Sequence, residues 1–483
     1  MALFLFSGRR IRAVCAALIV FVFTSVLVIP PGQSHALTLS EEKEIGRKTL
    51  EMIRKVMPMV EDGEVLTYVR SVGNRVAKEV GVTTYQYQFF VIDEAIPNAF
   101  AVPGGYIFIF RGMIELMSSE GELASILSHE AAHIQARHIQ RQADEAKVIS
   151  VASLAGLLAG VLMGAAGGGG AAPGALVAGS AAAGQSAALK YSRAFEMEAD
   201  QLGFRYFCAA GYDPSEMATV MHKMDQQKWT GASRIPSYLS THPALGERVQ
   251  YLAEMAKKEK AASSKRPAPA TGDFQLMQAA LIADHTDPAK AEERFKVGIK
   301  NGDKAAVFGL GRFYLRQGMW AEAVNQLQEA ARLMPSSPFV LSTLGGAYHK
   351  IGKPAEAQRT LESALTLDPS ASIAHYRLAL VLQDLGKKNE ALEHLLKLEE
   401  LAPMFPDADY QLGVVYGQVN NLGLAHFHLG RYYSHKANWE LAVMHYKKAK
   451  AYVLDSPQKL EELNAALREL DKRKKDPFTG KIR

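Results

Sequence analysis

Four positions with a small side chain recur at a fixed step through the C-terminal half of this 483-residue chain. Gly311, Gly345, Ala379 and Gly413 fall 34 residues apart, and Ala323, Ala357, Ala391 and Ala425 keep the same step. So do Pro335, Pro369 and Pro403, and so do Tyr314, Tyr348, Leu382 and Tyr416. Small residues let two helices approach closely, larger side chains beside them fill the gap, and a proline at each unit's end stops the second helix. One such hairpin cannot bury its own apolar face, so the units must stack on one another.

A 34-residue period of this kind is the tetratricopeptide (TPR) pattern. A weaker unit using Ala291 and Phe295 precedes it. After Tyr416 the step halves: Gly430 lies 17 residues past Gly413, and Ala442 lies 17 past Ala425, which reads as an extra helix pair out of register. Residues 274–455 are therefore expected to form an α-solenoid. A C-terminal helix and a basic tail follow over 456–483. In front of the solenoid, 256–272 is charged, contains Pro and Ser, and lacks an apolar period, which reads as a linker. Residues 38–255 mix helical periodicity with one strand-like section. The chain as a whole is expected to be mainly α, with an α+β domain carrying a small β-sheet ahead of the repeats, in keeping with a length of two or three domains at roughly 100–200 residues each.

The first 36 residues run from a basic stretch ending at Arg12 through an uncharged apolar run, Ala13 to Ile29, to Pro30-Pro31-Gly32 and a small-x-small site at Ser34-His35-Ala36. That order is the secretory pattern; a retained membrane anchor is the alternative, and Arg9-Arg10 is a weak twin-arginine signal. Cleavage would place the mature chain in the periplasm of an envelope-bearing cell, free or membrane-associated. The formal charge is +5, of which Arg9, Arg10 and Arg12 supply three; the +2 that remains is too weak a balance to argue for nucleic acid. Of the two cysteines, Cys15 leaves with the leader, so the mature chain has one thiol, Cys208, in an apolar stretch where a buried inert role is expected.

Chemistry concentrates at His129-Glu130-Ala131-Ala132-His133. Ser119-x-x-Glu122 reads as a capping box that opens a helix. On that helix His129 and His133 stand one above the other and can reach one zinc ion. Glu130 sits about a hundred degrees round, where a carboxylate addresses a water held by the metal rather than the metal. Five residues with three fixed also arise as surface histidines on a helix, so the pattern needs support. A catalytic zinc takes a third protein ligand and keeps one position open. Arg193-Ala194-Phe195-Glu196-Met197-Glu198-Ala199-Asp200 offers that ligand on a second helix. Glu196 and Asp200 share a face, so one can bind metal while the other accepts the ring N–H of a ligand histidine; Glu198 points elsewhere. A solvated acidic face fits less well, because Phe195, Met197 and Ala199 make the segment largely apolar. Upstream, Gln86 to Ile92 and Tyr106 to Phe110 read as strands around the turn Pro103-Gly104-Gly105, either as an edge on which a substrate backbone could add or as a plain structural hairpin.

With these residues in hand the chain resembles the gluzincin family of HtpX and the CAAX prenyl endopeptidases. The match rests on His129-Glu130-x-x-His133-x-x-x-Arg137-His138, Glu196-x-x-x-Asp200, Ser240-Thr241-His242-Pro243 and Asn98-Ala99-Phe100-Ala101-x-Pro103-Gly104-Gly105. The resemblance implies an endopeptidase with Zn2+ as cofactor, His129, His133 and Glu196 as ligands, and Glu130 as general base. It implies a catalytic-site role for Asp200, described in the family as a proton donor, whereas the spacing favours a hydrogen bond to a ligand. It implies that His242 can take the open metal position and hold the site latent; Arg248 also matches. Members that join an exported catalytic domain to TPR repeats act in quality control of outer-membrane β-barrel proteins. Misfolded or stalled envelope proteins are therefore the expected substrates, with β-barrel proteins and their assembly machinery as expected partners of the repeats. The alternative is a TPR-based periplasmic chaperone or assembly factor whose zinc site is structural or latent.

One segment remains. Residues 148–189, between Lys147 and Lys190, are uncharged, rich in Ala and Gly, and centred on Gly167–Gly170 and Pro173. Inserted between the two histidine- and glutamate-bearing helices, they read as a lid over the site, as a membrane-surface contact, or as a spanning hairpin.

Overall fold

A computed structural model describes residues 38–82, 85–145, 191–226, 238, 241–262, 273–405, 407–452 and 457–475. The leader expected over 1–36 and the uncharged insert over 148–189 lie outside the described residues. Among the described residues, no helix is long and apolar enough to cross a membrane.

The N-terminal domain is built around three strands, β1 (Gln88–Ile92), β2 (Ala99–Val102) and β3 (Tyr106–Phe110), in the order β1-β3-β2. β2 and β3 form the antiparallel hairpin across Pro103-Gly104-Gly105, with Phe100 opposite Phe108, and both glycines take the positive φ that a side chain disfavours. β1 runs parallel to β3, with Phe90 opposite Phe108. Side chains alternate across the sheet, as the pleat requires. Phe89, Val91, Ala101, Ile107 and Ile109 enter one core, shared with helices α2 (Gly63–Glu79) and α4 (Glu120–Gln135). Phe90, Ile92, Phe100, Phe108 and Phe110 enter the other, closed by α1 (Leu39–Val56). Both faces are covered, so the strands read as continuous apolar runs rather than as alternation.

Short helices α3 (Arg111–Leu116) and α5 (His138–Glu145) flank α4. Helix α6 (Arg193–Ala209) packs along α4, and α7 (Ser215–Gln226) and α8 (Leu245–Ala262) complete the domain. Helix α8 runs to Ala262, past the point where the linker was expected to begin; its apolar positions Leu252 and Ala256 belong to the first core, which holds the helix together against its charged composition.

The repeats start at α9 (Phe274–His285), whose Phe274, Met277 and Leu281 lie in the core of the preceding domain. Helices α10 to α16 follow as Pro288–Lys300, Lys304–Arg316, Trp320–Leu333, Pro338–Lys350, Pro354–Leu367, Ser372–Asp384 and Lys388–Leu401, and α17 to α20 as Ala408–Gln418, Leu422–His435, Trp439–Lys450 and Pro457–Lys475. The small-residue positions show why the period exists. A Cβ on Gly311 would lie 2.8 Å from Leu327 Cγ, one on Gly345 2.5 Å from Leu361 Cγ, and one on Gly413 2.7 Å from Leu429 Cγ. Gly430 meets the ring of Tyr446 in the same way, at 2.6 Å. The half-step is thereby explained: α18 closes the hairpin begun by α17 and opens the one closed by α19.

Gly345→Ala tests this packing. An alanine in a helix interior gains ~1 kcal/mol over glycine in an exposed position, but overpacking a filled core costs about 1–3 kcal/mol. The net expectation is a destabilisation on the order of 1 kcal/mol by chemical denaturation. An equal or higher midpoint would mean that Leu361 yields easily.

Candidate metal centre and active site

Ser119 caps α4 by accepting a hydrogen bond from the Glu122 amide at 3.2 Å. The return bond differs from the expected box: Glu122 accepts from the Ser118 amide at 2.8 Å and from the Lys223 ammonium. Helix α4 is buried along almost its whole length, including Ser128, His129, Glu130 and His133. Helix α6 can approach it because residue 203 is glycine, whose Cβ would lie 3.1 Å from His129 Cα. That close crossing brings Glu196 and Asp200 to the two histidines.

His129, His133, Glu196 and His242 form a buried group whose ligand-type atoms all lie within 4.8 Å of one another. The Nε2 atoms of His129 and His133 are 3.0 Å apart. Glu196 Oε1 is 3.4 Å from His133 Nε2 and 2.9 Å from His242 Nδ1, and Oε2 is 3.6 Å from His129 Nε2. Three imidazoles and one carboxylate converge on a single point, a donor set that suits a transition metal of borderline softness. His242 Nε2 is buried with no hydrogen-bond partner, as expected of an atom arranged for something the side chains around it do not supply.

Asp200 stands beside this group. It accepts from His129 Nδ1 at 2.9 Å and from Arg248 through both oxygens at 2.7 Å, and Tyr251 donates to it. Burial opposes its charge, yet Arg248 and His129 overcome that and hold the carboxyl below its usual range. Arg248 also lies 2.5 Å from Glu196 Oε2. Burial likewise opposes ionisation of Glu196, and His242 and Arg248 outweigh it, keeping the carboxyl well below the ordinary value.

Glu130 is fully buried, and neither carboxylate oxygen has a hydrogen-bond partner. Its Oε1 lies 3.7 Å from His242 Nε2. Burial pushes its pKa up, against the attraction of His242 and His129. The site is walled by rings: Tyr191 stacks on His133 with centroids 4.0 Å apart, and Tyr238 on His242 at 4.3 Å.

All six residues singled out from the sequence thus meet in one place. Reading the sequence assigned no role to Arg248, Tyr191, Tyr238, Tyr251 or His138. Arg248 lies six residues past His242 and could have been sought as the partner of two buried acids; the tyrosines carry no such signal. A second group, Glu399, Asp409 and His428, is comparably close. There Arg431 lies 2.5 Å from Glu399 and Lys459 lies 3.3 Å from His428 Nε2, so the cluster is an ion network already neutralised by side chains.

The sequence profile of peptidase family M48 matches residues 65–256, and tetratricopeptide repeat profiles match 276–338 and 343–416. The chain carries a peptidase family M48 domain followed by TPR repeats. It is 24% identical over 320 residues to the beta-barrel assembly-enhancing protease of Escherichia coli strain K12, a match covering 64% of this chain and 64% of that protein. The protein of the same name from Yersinia pestis is 23% identical over 321 residues, covering 65% and 64%. This chain is 32% identical over 175 residues to the mitochondrial metalloendopeptidase OMA1 of Arabidopsis thaliana, covering 36% of this chain and 33% of that protein. The chain therefore spans somewhat under two thirds of the length of the first two relatives. All the buried residues of the metal group fall inside the M48 match.

Proposed function

We propose that this chain is an exported zinc-dependent endopeptidase that acts on misfolded or stalled envelope proteins and assists outer-membrane β-barrel assembly. The observation that carries the peptidase reading is the convergence of His129, His133 and Glu196 with Glu130 buried and unengaged beside them. His129, His133 and Glu196 would hold the metal. Zinc in that position would lower the pKa of a coordinated water and polarise the scissile carbonyl. Glu130 accepts the proton of the attacking water and delivers it to the leaving amine. Asp200 holds the His129 ring by its Nδ1–H, and Arg248 and Tyr251 hold Asp200. Strand β2, paired on one side only among the described residues, offers the sheet edge on which an extended substrate could add. The assembly role is supported by the two bacterial relatives' names and by the repeats, which offer a surface for envelope proteins or their machinery.

A second reading draws on His242. Its Nδ1 stands 3.3 Å from His129 Nε2 and 2.9 Å from Glu196, inside the same group. A fourth protein ligand closes a zinc site, which gives a latent enzyme or a chaperone with a structural metal. Cleavage of an unfolded protein such as casein separates the readings. A latent peptidase gains activity on His242→Ala and loses it when zinc is chelated. No cleavage by either the native chain or His242→Ala, both zinc-loaded, would sink the enzyme reading.

A further inference from the structure

His138 lies five residues past His133, at the start of α5, and is fully buried. Its Nδ1 is 2.9 Å from His133 Nδ1. The other nitrogen of His133, Nε2, faces His129 and Glu196. A ligand imidazole that gives Nε2 to a metal carries its proton on Nδ1, and that proton points at His138. His138 can accept it only if its own proton sits on Nε2. That atom lies 3.2 Å from Glu198 Oε2, a carboxylate on α6 that also receives Arg141 at 2.8 Å. The hydrogen bonds form one directed chain: His133 Nδ1–H to His138 Nδ1, His138 Nε2–H to Glu198, with Arg141 donating to the same carboxylate. Only one set of tautomers satisfies it.

The backbone is bent to make this contact. Helix α4 ends at Gln135, and Arg137 adopts φ 55°, the left-handed region that side chains other than glycine rarely occupy. Arg137 is paired there with the buried Glu42 of α1. The reversal lets α5 start at once, with the Arg141 amide bonding to the Arg137 carbonyl at 2.9 Å, and swings His138 back over the end of α4. Backbone held in a costly conformation by a distant partner is a sign that the position it creates is used. Phe195 then stacks on the His138 ring with centroids 4.5 Å apart and planes 10° from parallel, and the Arg141 guanidinium covers Phe195.

We infer that His138 is the residue that orients His133 toward the metal, by accepting its Nδ1 proton, and that Glu198 fixes the tautomer in which it can do so. The two ligand histidines are then supported unequally. His129 gives its proton to a carboxylate locked by Arg248, and His133 gives its proton to a neutral imidazole. This rests on the reading of His129, His133 and Glu196 as metal ligands. It makes His138 a positioning residue, not a catalytic one.

Two substitutions in the full chain separate orientation from packing. His138→Phe keeps a ring against Phe195 and Tyr191 and removes the acceptor. His138→Asn removes the ring and places Oδ1 close to where Nδ1 lies. Zinc affinity, measured by competition with a chromogenic chelator, is expected to fall about 10- to 100-fold in His138→Phe, with altered absorption of the Co2+-substituted protein and an unchanged melting temperature of the metal-free chain. His138→Asn is expected to stay close to the native affinity and spectrum. Native affinity in the Phe variant, or a loss in Asn as large as in Phe, overturns the inference. Failure of the native chain to bind zinc removes the metal reading and this one together, whereas native binding with an unaffected Phe variant removes only this one.

Discussion

Glu130→Gln is expected to abolish measurable peptidase activity while leaving zinc bound. A general base contributes typically 10²- to 10⁴-fold, and cleavage of an unfolded protein by His242→Ala should fall by that factor when Glu130→Gln is added. Zinc content should not change, because Glu130 is outside the group of four whose ligand atoms converge. Stability should rise rather than fall. A buried carboxylate with no hydrogen-bond partner is a cost to folding, and an amide of the same shape removes the charge without removing any bond. The coupled expectation, lost turnover with retained metal and an equal or higher melting temperature, is what separates a residue kept for chemistry from one kept for structure. Turnover within tenfold of the parent would remove Glu130 from the mechanism, and loss of zinc with the activity would place it among the ligands.

What could be read in the sequence is what depends on local spacing. His129 and His133, and Glu196 and Asp200, are each four apart on one helix, and helix geometry alone places each pair on a shared face. The 34-residue step is equally local, since Gly345 and Leu361 are one hairpin apart. The contacts that were not legible depend on chain reversals or long separations. His138 reaches His133 only because Arg137 turns left-handed, and nothing in an arginine announces that. The strand section showed a turn at Pro103-Gly104-Gly105, but not that β1 would pair in parallel with β3. The charged composition after Ala256 hid the continuation to Ala262 of a helix anchored by Leu252 and Ala256. The largest omission was the junction between the two domains, where the Arg312–Glu64 pair joins charges 248 residues apart.

That junction carries the largest expected effect on stability. Asp62, the N-cap of α2, and Glu64, in its first turn, enter a pocket formed by the first helices of successive repeats. Arg312 of α11 lies 2.5 Å from Asp62 and 2.7 Å from Asp284 and is paired with Glu64, while Arg377 of α15 reaches Glu64 at 2.8 Å. Between the two acids Gly63 lies under the ring of Phe405, where a Cβ would sit 2.2 Å from the ring. Arg312 is buried and serves three carboxylates, so Arg312→Met leaves Asp62 and Asp284 facing one another without it, with only Glu64 still paired, to Arg377. Breaking a buried pair from one side costs about 3–5 kcal/mol, and Arg312→Met should lose that much and split thermal unfolding into two transitions as the M48 domain and the repeats uncouple. Arg377→Met should cost less, because Arg377 is only half-buried and Glu64 keeps Arg312. Adding Asp284→Asn to Arg312→Met should recover part of the loss, since one stranded charge is gone; two contacting residues are where additivity fails. A single transition with a loss below about 1 kcal/mol would show that the ions merely decorate an interface held by Phe274, Met277 and Phe405. The junction also has a structural consequence: the face of the repeats that carries Arg312 and Arg377 is already covered by the M48 domain, so nothing else docks there while the two domains are joined.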